Sequence, residues 1–379
     1  MMTANIDRFP TQSMMTLTST KVRFDLAESV GPDLTLNDVV SPSEMAELGA
    51  LSLEYRSPLG NKELRNFIAQ QHNVHTDDVI TTVGGMHAIF LCSELLCNPG
   101  DHVLVQQPSF PLTQSALAFN KATVELLPCH FHNRYRLDIQ QLAARLTPQT
   151  TLVCLASPQN PSGVAITKEE VVKIIGAMNK HCPKAFLLLD ETYRQASYGD
   201  NKPLESMASL DERIISCASL SKCHGAPGIR IGWAISRHEQ FRKQLINGKF
   251  QTIICCSALD EAVALRVMQR NESLFTDRCM HLRKGRELVS QWVKAHADQI
   301  SWVPPDAGAL CCVRLDFAQT DTRLVTRFHE EIHQRSVRVA PGSWFGDEPE
   351  VFRLGFGLLP ISDLSQGLEA ISHVLKRLR

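Results

Sequence analysis

The sequence predicts an α/β protein: a large domain on a mostly parallel sheet with helices on both faces, joined to a smaller α+β domain. Short apolar runs alternate with longer helical patterns along the first part of the chain, the mark of crossover connections between parallel strands. Beyond about residue 237 this gives way to long amphipathic helices with isolated strands between them. No fixed-period repeat or low-complexity tract interrupts either part.

Taken in order, 101–106 (DHVLVQ), 151–155 (TLVCL), 185–189 (AFLLL), 213–217 (RIISC) and 231–235 (IGWAI) read as buried strands. Between them, 61–72, 86–96, 138–145 and 167–181 read as helices. Three long helices are predicted at 237–246, 257–270 and 273–297. They are followed by a strand at 309–315, a helix at 323–335, a strand at 351–354 and a closing helix at 361–378. The division expected is 1–50 as an N-terminal lid segment contributing to the small domain, 51–245 as the large domain, and 246–379 as connecting helices and small domain.

Composition narrows the function. Hydrophobic residues at 44% and charged residues at 21% fit a soluble globular chain long enough to bury a sizeable core. A formal net charge of -1 provides no global basic field for nucleic acid or an anionic membrane surface. The N-terminal stretch lacks a basic region followed by an apolar run, and no segment approaches a membrane span. The twelve cysteines form no CxxC pair, and several sit inside apolar runs, so they read as reduced core thiols of a cytoplasmic protein.

Four motifs follow or precede these apolar runs. In SLSKCHGAPGIRIGW (219–233), Lys222 sits just after a strand, between hydroxyls and a glycine-rich turn. A lysine that attacks an aldehyde belongs at the carboxyl edge of such a sheet and must reach its neutral form. Ser219, Ser221 and Arg230 suit a phosphate dianion. In LLLDETYRQ, Asp190 ends an apolar strand, where a carboxylate needs a cationic partner such as a protonated pyridine nitrogen. In SPQNPSG (157–163), the Asn160 amide can donate to a ring phenolate, and the Tyr193 hydroxyl can do so from the other side. In TTVGGMHAIF (81–90), the N–H groups of Gly85 and Met86 can meet an anion at a helix N-terminus. Each motif alone also has an ordinary structural reading: a surface lysine, a helix-capping Asp, a turn, or a glycine before a core helix.

In this order and spacing, with Asp190 and Lys222 32 residues apart, the set resembles the fold-type I pyridoxal 5′-phosphate (PLP) enzymes, specifically the class I/II aminotransferases. The resemblance runs from about Tyr55 to Arg353. It implies a PLP-transferase fold with a seven-stranded-type sheet in the large domain. By position, Lys222 matches the Schiff-base lysine that also shuttles the proton between substrate Cα and cofactor C4′, and Asp190 matches the partner of the pyridine nitrogen. Asn160 and Tyr193 match the groups on the ring oxygen. Ser219, Arg230 and the Gly85–Met86 amides match the phosphate cup, and Phe110 in QPSFP matches the aromatic stacked on the ring. Arg353 in VFRLGFG matches the arginine that clamps the substrate carboxylate. Tyr55 matches a tyrosine reaching the neighbouring subunit's phosphate, which implies a homodimer with a shared active site. The activity implied is ping-pong transfer of an amino group between an α-amino acid and a 2-oxo acid, with no metal, nucleic acid or membrane involved.

The chain departs from that pattern at His224, where an aromatic residue is common, at Asp260, where glutamine is common, and at Phe110, a smaller ring than usual. FDLAESVGPDL resembles the substrate-lid segment only loosely. These departures leave open elimination, cyclisation or hydroxylation of an amino acid with the same cofactor. Arg23, Arg56, His224 and the stretch 247–259 are candidates for shaping the side-chain pocket. A PLP-fold regulator is disfavoured because the stretch before Tyr55 has no basic helix-turn-helix pattern. HEEIH (329–333) fits a zinc-protease signature, but Leu324, Val325, Phe328 and Ile332 make a core stripe on the same helix. Cys129, His130 and His132 (CHFH) also have the composition of a metal cluster, but they lie in a polar stretch between a strand and a helix and read as a solvated loop.

Overall fold

The computed structural model describes residues 11–198, 202–318 and 321–378. The leader reading of the extreme N-terminus rests largely on residues 1–10 and lies outside them. Thirteen strands occur in chain order: β1 (Phe24–Asp25), β2 (Val79–Val83), β3 (His102–Gln107), β4 (Thr123–Pro128), β5 (Thr150–Ala156), β6 (Phe186–Asp190), β7 (Ile214–Ser219), β8 (Ile231–Ser236), β9 (Ile300–Val303), β10 (Leu310–Leu315), β11 (Val337–Arg338), β12 (Ala340–Pro341) and β13 (Val351–Gly355).

Seven of these form one mixed sheet in the order β2-β8-β7-β6-β5-β3-β4. Only β8 opposes its neighbours; the other six run the same way, so their carboxyl ends share one edge. The apolar runs are continuous because apolar clusters cover both faces: Leu104, Val153, Leu187 and Leu189 pack on one side, and Val103, Leu152, Cys154 and Leu188 on the other. The covering helices include Gly84–Leu96 and Lys168–His181. Thr167 and Glu170 close a reciprocal capping box at the start of the latter, at 3.2 and 2.7 Å, a device worth about 1 kcal/mol.

A second, antiparallel sheet runs β12-β13-β10-β9, and a parallel pair joins β1 to β11. Alternation along β10 and β13 separates two cores. Cys311, Val313, Phe352 and Leu354 face a cluster shared with the helices Asn271–Ala295, Thr322–Gln334 and Ile361–Arg377 and with Phe24 and Leu26. Cys312 and Val351 face the cluster under the large sheet. Arg353 has the parity of Val351, so its side chain leaves the small-sheet core and turns toward the large sheet. The helix Glu239–Ile253 runs unbroken through residue 245. Nine of the twelve cysteines are buried. No helix of the described residues is long and apolar enough to cross a membrane.

Candidate active site

The sheet edge gathers the motifs. Phe110 follows β3, Asn160 follows β5, Asp190 ends β6, Ser219 ends β7 with Lys222 three residues on, and Gly84–Gly85 follow β2. Arg230 precedes the opposed strand β8 and so reaches the same edge. Phe110, Asn160, Asp190 and Tyr193 line one cavity with Ile89, Ala156 and Leu188. On the far side of Tyr193, Lys222 lines a smaller one with Ser29, Gly31 and Arg278.

Desolvation pushes the Asp190 carboxyl above its usual range. The N–H of Thr192 at 3.0 Å and the charge of Lys222 offset this only in part. A carboxylate so placed is stabilised by a cation at the cavity it lines. Desolvation, reinforced by the guanidiniums of Arg353 and Arg230, holds Lys222 below the ordinary lysine range against the pull of Glu28 and Asp190. A lysine in that state reaches its neutral, nucleophilic form more readily.

The helix Gly84–Leu96 begins after Val83, which offers no side-chain cap, so its first N–H groups remain available to an anion. Gly84 has φ +70°, and a Cβ there would stand 2.4 Å from Arg230 Nη2, so the glycine makes room for the guanidinium. Arg230 Nη1 donates to Ser221 Oγ at 3.3 Å and to the Pro227 carbonyl at 2.9 Å. Backbone amides, two serines and one arginine thus gather at this edge, a donor set suited to a phosphate.

Arg353 is 1% exposed. Its Nη1 donates to Asn160 Oδ1 at 2.8 Å, and its Nη2 to the Ala27 carbonyl at 2.5 Å. The guanidinium lies 4.7 Å from the Phe345 ring centroid, and Nε is buried without a partner among the described residues. With Oδ1 engaged, the Asn160 amide N–H groups are left for an acceptor in the cavity. The Tyr193 hydroxyl meets Ser29 Oγ at 2.8 Å, and burial pushes its phenol upward. The uncompensated carboxyl, the low lysine and the anion cradle together fit PLP.

Ala27, Ser29 and Phe345 are functional neighbours that the motif reading missed. They contribute a carbonyl, one hydroxyl and a ring face from distant segments, and only the loose lid resemblance hinted at the first two. Tyr55 stands apart, 79% exposed. His224 is buried edge-on to Trp233 at 6.4 Å, with neither ring nitrogen partnered among the described residues. Arg56 pairs with Glu54, and exposed Arg23 bonds Gln366. A roomier cleft, about 580 Å³, lies beside Glu191 and Arg194 and contains none of the predicted site residues. On the helix that carries HEEIH, Val325, Phe328 and Ile332 are buried and Leu324 partly buried, as the stripe requires. The histidines gather no further ligand among the described residues.

A model of the family described as aminotransferase class I and II matches residues 21–371. Capreomycidine synthase of Streptomyces vinaceus is 29% identical over 331 residues, 87% of this chain and 82% of that protein. An aspartate aminotransferase of Rhizobium meliloti is 25% identical over 366 residues, 92% and 88% of the two chains. The solved structure of a PLP-dependent cyclase, OrfR, shares the fold at a TM-score of 0.86 and 24% identity, covering 99% of this chain and 100% of that one.

Proposed function

The chain belongs to the class I and II aminotransferase family, whose cofactor is PLP, and from that premise we propose that it moves an amino group between an α-amino acid and a 2-oxo acid. The observation that carries this reading is the bond from Arg353 to Asn160, which lines a cavity together with Asp190, while Lys222 lines the neighbouring cavity that shares Tyr193. Bound at this edge, PLP supplies an electron sink for the electrons of the broken Cα–H bond. Asp190 keeps the pyridine nitrogen protonated, and Asn160 and Tyr193 donate to the ring oxygen. Ser219, Ser221, Arg230 and the Gly85 and Met86 amides hold the phosphate, and Phe110 packs on the ring. Arg353 fixes the substrate carboxylate through its remaining N–H groups and so sets the orientation of the Cα–H bond. Lys222, which desolvation holds below the ordinary lysine range, would take the proton from the substrate Cα and return it. Tyr55, exposed in its own subunit, serves the phosphate of a second copy in a cytoplasmic homodimer.

A second reading keeps every cofactor residue and changes the product: ring closure or elimination. It is favoured by the Streptomyces relative named a synthase and by the cyclase that shares the fold. One experiment separates the two. The purified holoenzyme is given a panel of amino acids without any oxo acid. Stoichiometric 2-oxo acid, with conversion of the lysine-bound cofactor band to the amine form, is the expected result. Ammonia, or a product lacking a matching oxo acid, selects the second reading. A protein that takes up no PLP would refute both.

A further inference from the structure

The turn after β4 divides its residues between core and solvent. Cys129 and Phe131 are 2% and 6% exposed. The Phe131 ring meets Tyr135 edge-on at 5.9 Å and carries the Arg314 guanidinium 4.5 Å from its centroid. With Phe131 turned inward, His130 and His132 project outward, and their rings stack at 5.1 Å with 17° between planes. A third donor arrives from the loop before β13. One ring nitrogen of each histidine and one carboxylate oxygen of Glu348 all lie within 4.8 Å of one another.

We propose that His130, His132 and Glu348 bind a divalent transition metal of the zinc class, a surface strut between the turn after β4 and the loop before β13. Two imidazoles and one carboxylate are a donor set that zinc accepts, with a fourth position left for water. Around a tetrahedral ion with bonds of about 2.0–2.2 Å, ligand atoms stand roughly 3.4 Å apart. Rotation of the two exposed histidines and the half-exposed glutamate closes the remaining gap. The loop is already anchored beside the histidines: Asp347 accepts from the Tyr135 hydroxyl at 2.5 Å, and its N–H donates to the Gly342 carbonyl at 3.0 Å. Asp347, Glu348 and Glu350 concentrate three carboxylates within four residues, and Glu350 Oε2 is buried without a partner among the described residues. A cation offsets that charge. The same segment supplies Phe345, whose ring lies under Arg353 and whose carbonyl accepts from the N–H of Ser109 at 3.1 Å. The ion therefore stiffens the support of the active site and takes no part in its chemistry.

The test is titration of chelator-treated holoenzyme with Co²⁺, followed by Zn²⁺ in competition with a chromophoric chelator. One saturable equivalent is expected, with the intense visible bands of tetrahedral cobalt, displaced by zinc. His132→Ala and Glu348→Gln should each weaken binding by more than the roughly ten- to hundredfold that loss of an outer-shell partner costs. In both variants the cofactor band and metal-free turnover should stay at the starting level, which reports an intact fold and active site. Absence of saturable binding overturns the proposal. So does binding unchanged in the His130→Ala, His132→Ala double variant, because the ion would then sit on thiols, on the cofactor phosphate or at His329 and His333.

Discussion

Gly232→Ala tests how the cofactor cradle is built. Gly232 lies in β8, opposite Ser219 of β7 and Thr82 of β2. A Cβ there would stand 2.5 Å from the Gly84 carbonyl carbon, 2.6 Å from the Gly85 nitrogen and 2.7 Å from the Ala218 oxygen. Comfortable carbon contacts begin near 3.5 Å, so each neighbour must yield by about 1 Å. All three are backbone atoms, and β8 is hydrogen-bonded on both sides, so no side chain can rotate away. Overpacking of this kind costs about 1–3 kcal/mol, and backbone on three sides puts the expectation at the upper end. Two of the displaced atoms belong to the first turn of the helix Gly84–Leu96, whose free N–H groups are proposed to meet the phosphate, and the third to β7 just before Ser219, so PLP affinity should fall along with stability. Gly228→Ala is the control: it is exposed, with nothing within 4 Å of its Cβ, and should stay within about 0.5 kcal/mol. Denaturant midpoints of apo and holo protein, and the PLP dissociation constant from cofactor absorbance, are the measurements. A Gly232→Ala protein that matches Gly228→Ala in both would refute the close-approach argument.

Three further outcomes are expected. Arg353→Lys loses the planar fork and should lower kcat/KM by about 2 kcal/mol or more, roughly thirtyfold, with PLP binding preserved; steady-state kinetics beside a cofactor titration checks this. Ser29→Ala leaves the buried Tyr193 hydroxyl without its 2.8 Å partner and should cost about 1–3 kcal/mol, read by chemical unfolding. Acid should destabilise the fold through His72 and Glu191. Burial lowers His72, which stays neutral when folded and takes up a proton on unfolding, so its contribution is lost as pH falls below about 6.5. Glu191 is desolvated, but hydrogen bonds from His72 and Ser216 and the charge of Arg194 hold it below the usual carboxylate range. Its contribution, present above 4.5, is lost as pH falls below that toward the lowered folded value. Glu191→Gln should flatten the stability–pH curve below pH 4.5.

What the sequence disclosed follows from which forces write a local pattern. β3, β5, β6, β7 and β8 were legible because burial on both faces demands unbroken apolar runs. β2 was not. Its Thr81 and Thr82 are fully buried yet polar, and they satisfy their hydroxyls with Glu261 Oε1 at 2.6 Å and the Gly84 carbonyl at 2.8 Å. β4 and β9 lie at sheet edges, where half-burial blurs the pattern, and the helix Pro111–Ala118 was hidden behind the prolines of QPSFP. At the site, the charged residues announced themselves because a carboxylate or lysine beside an apolar strand needs an explanation. Ala27 acts through its backbone carbonyl and Phe345 through a ring face, and neither leaves a sequence mark. The meeting of His130 and His132 with Glu348 is likewise long-range: CHFH offers the two imidazoles as candidate metal donors, but nothing local points to Glu348, and Cys129 turns into the core instead.

The segment around β1 is where the fate of the substrate should be decided. Transfer and ring closure share the loss of a Cα proton, so the roles proposed for Lys222, Asp190 and Arg353 would serve either, and the difference must then lie in what faces the substrate beyond them. Ala27 and Ser29 hold that segment across the site, and Glu28 between them acts electrostatically on both Lys222 and Arg353. Its carboxylate raises the Lys222 pKa, opposing desolvation and the two arginines. Glu28→Gln removes that support, so Lys222 should lose its proton at lower pH and the acidic limb of the rate profile should move down. Glu28 is half-exposed and therefore screened, so the displacement is expected to be small but downward. Product analysis on the same variant reads the second consequence: a changed ratio of oxo acid to other product would assign Glu28 to partitioning, and an unchanged ratio would confine it to tuning the lysine. A limb that stays in place, or moves upward, would refute the assignment of Glu28 to Lys222.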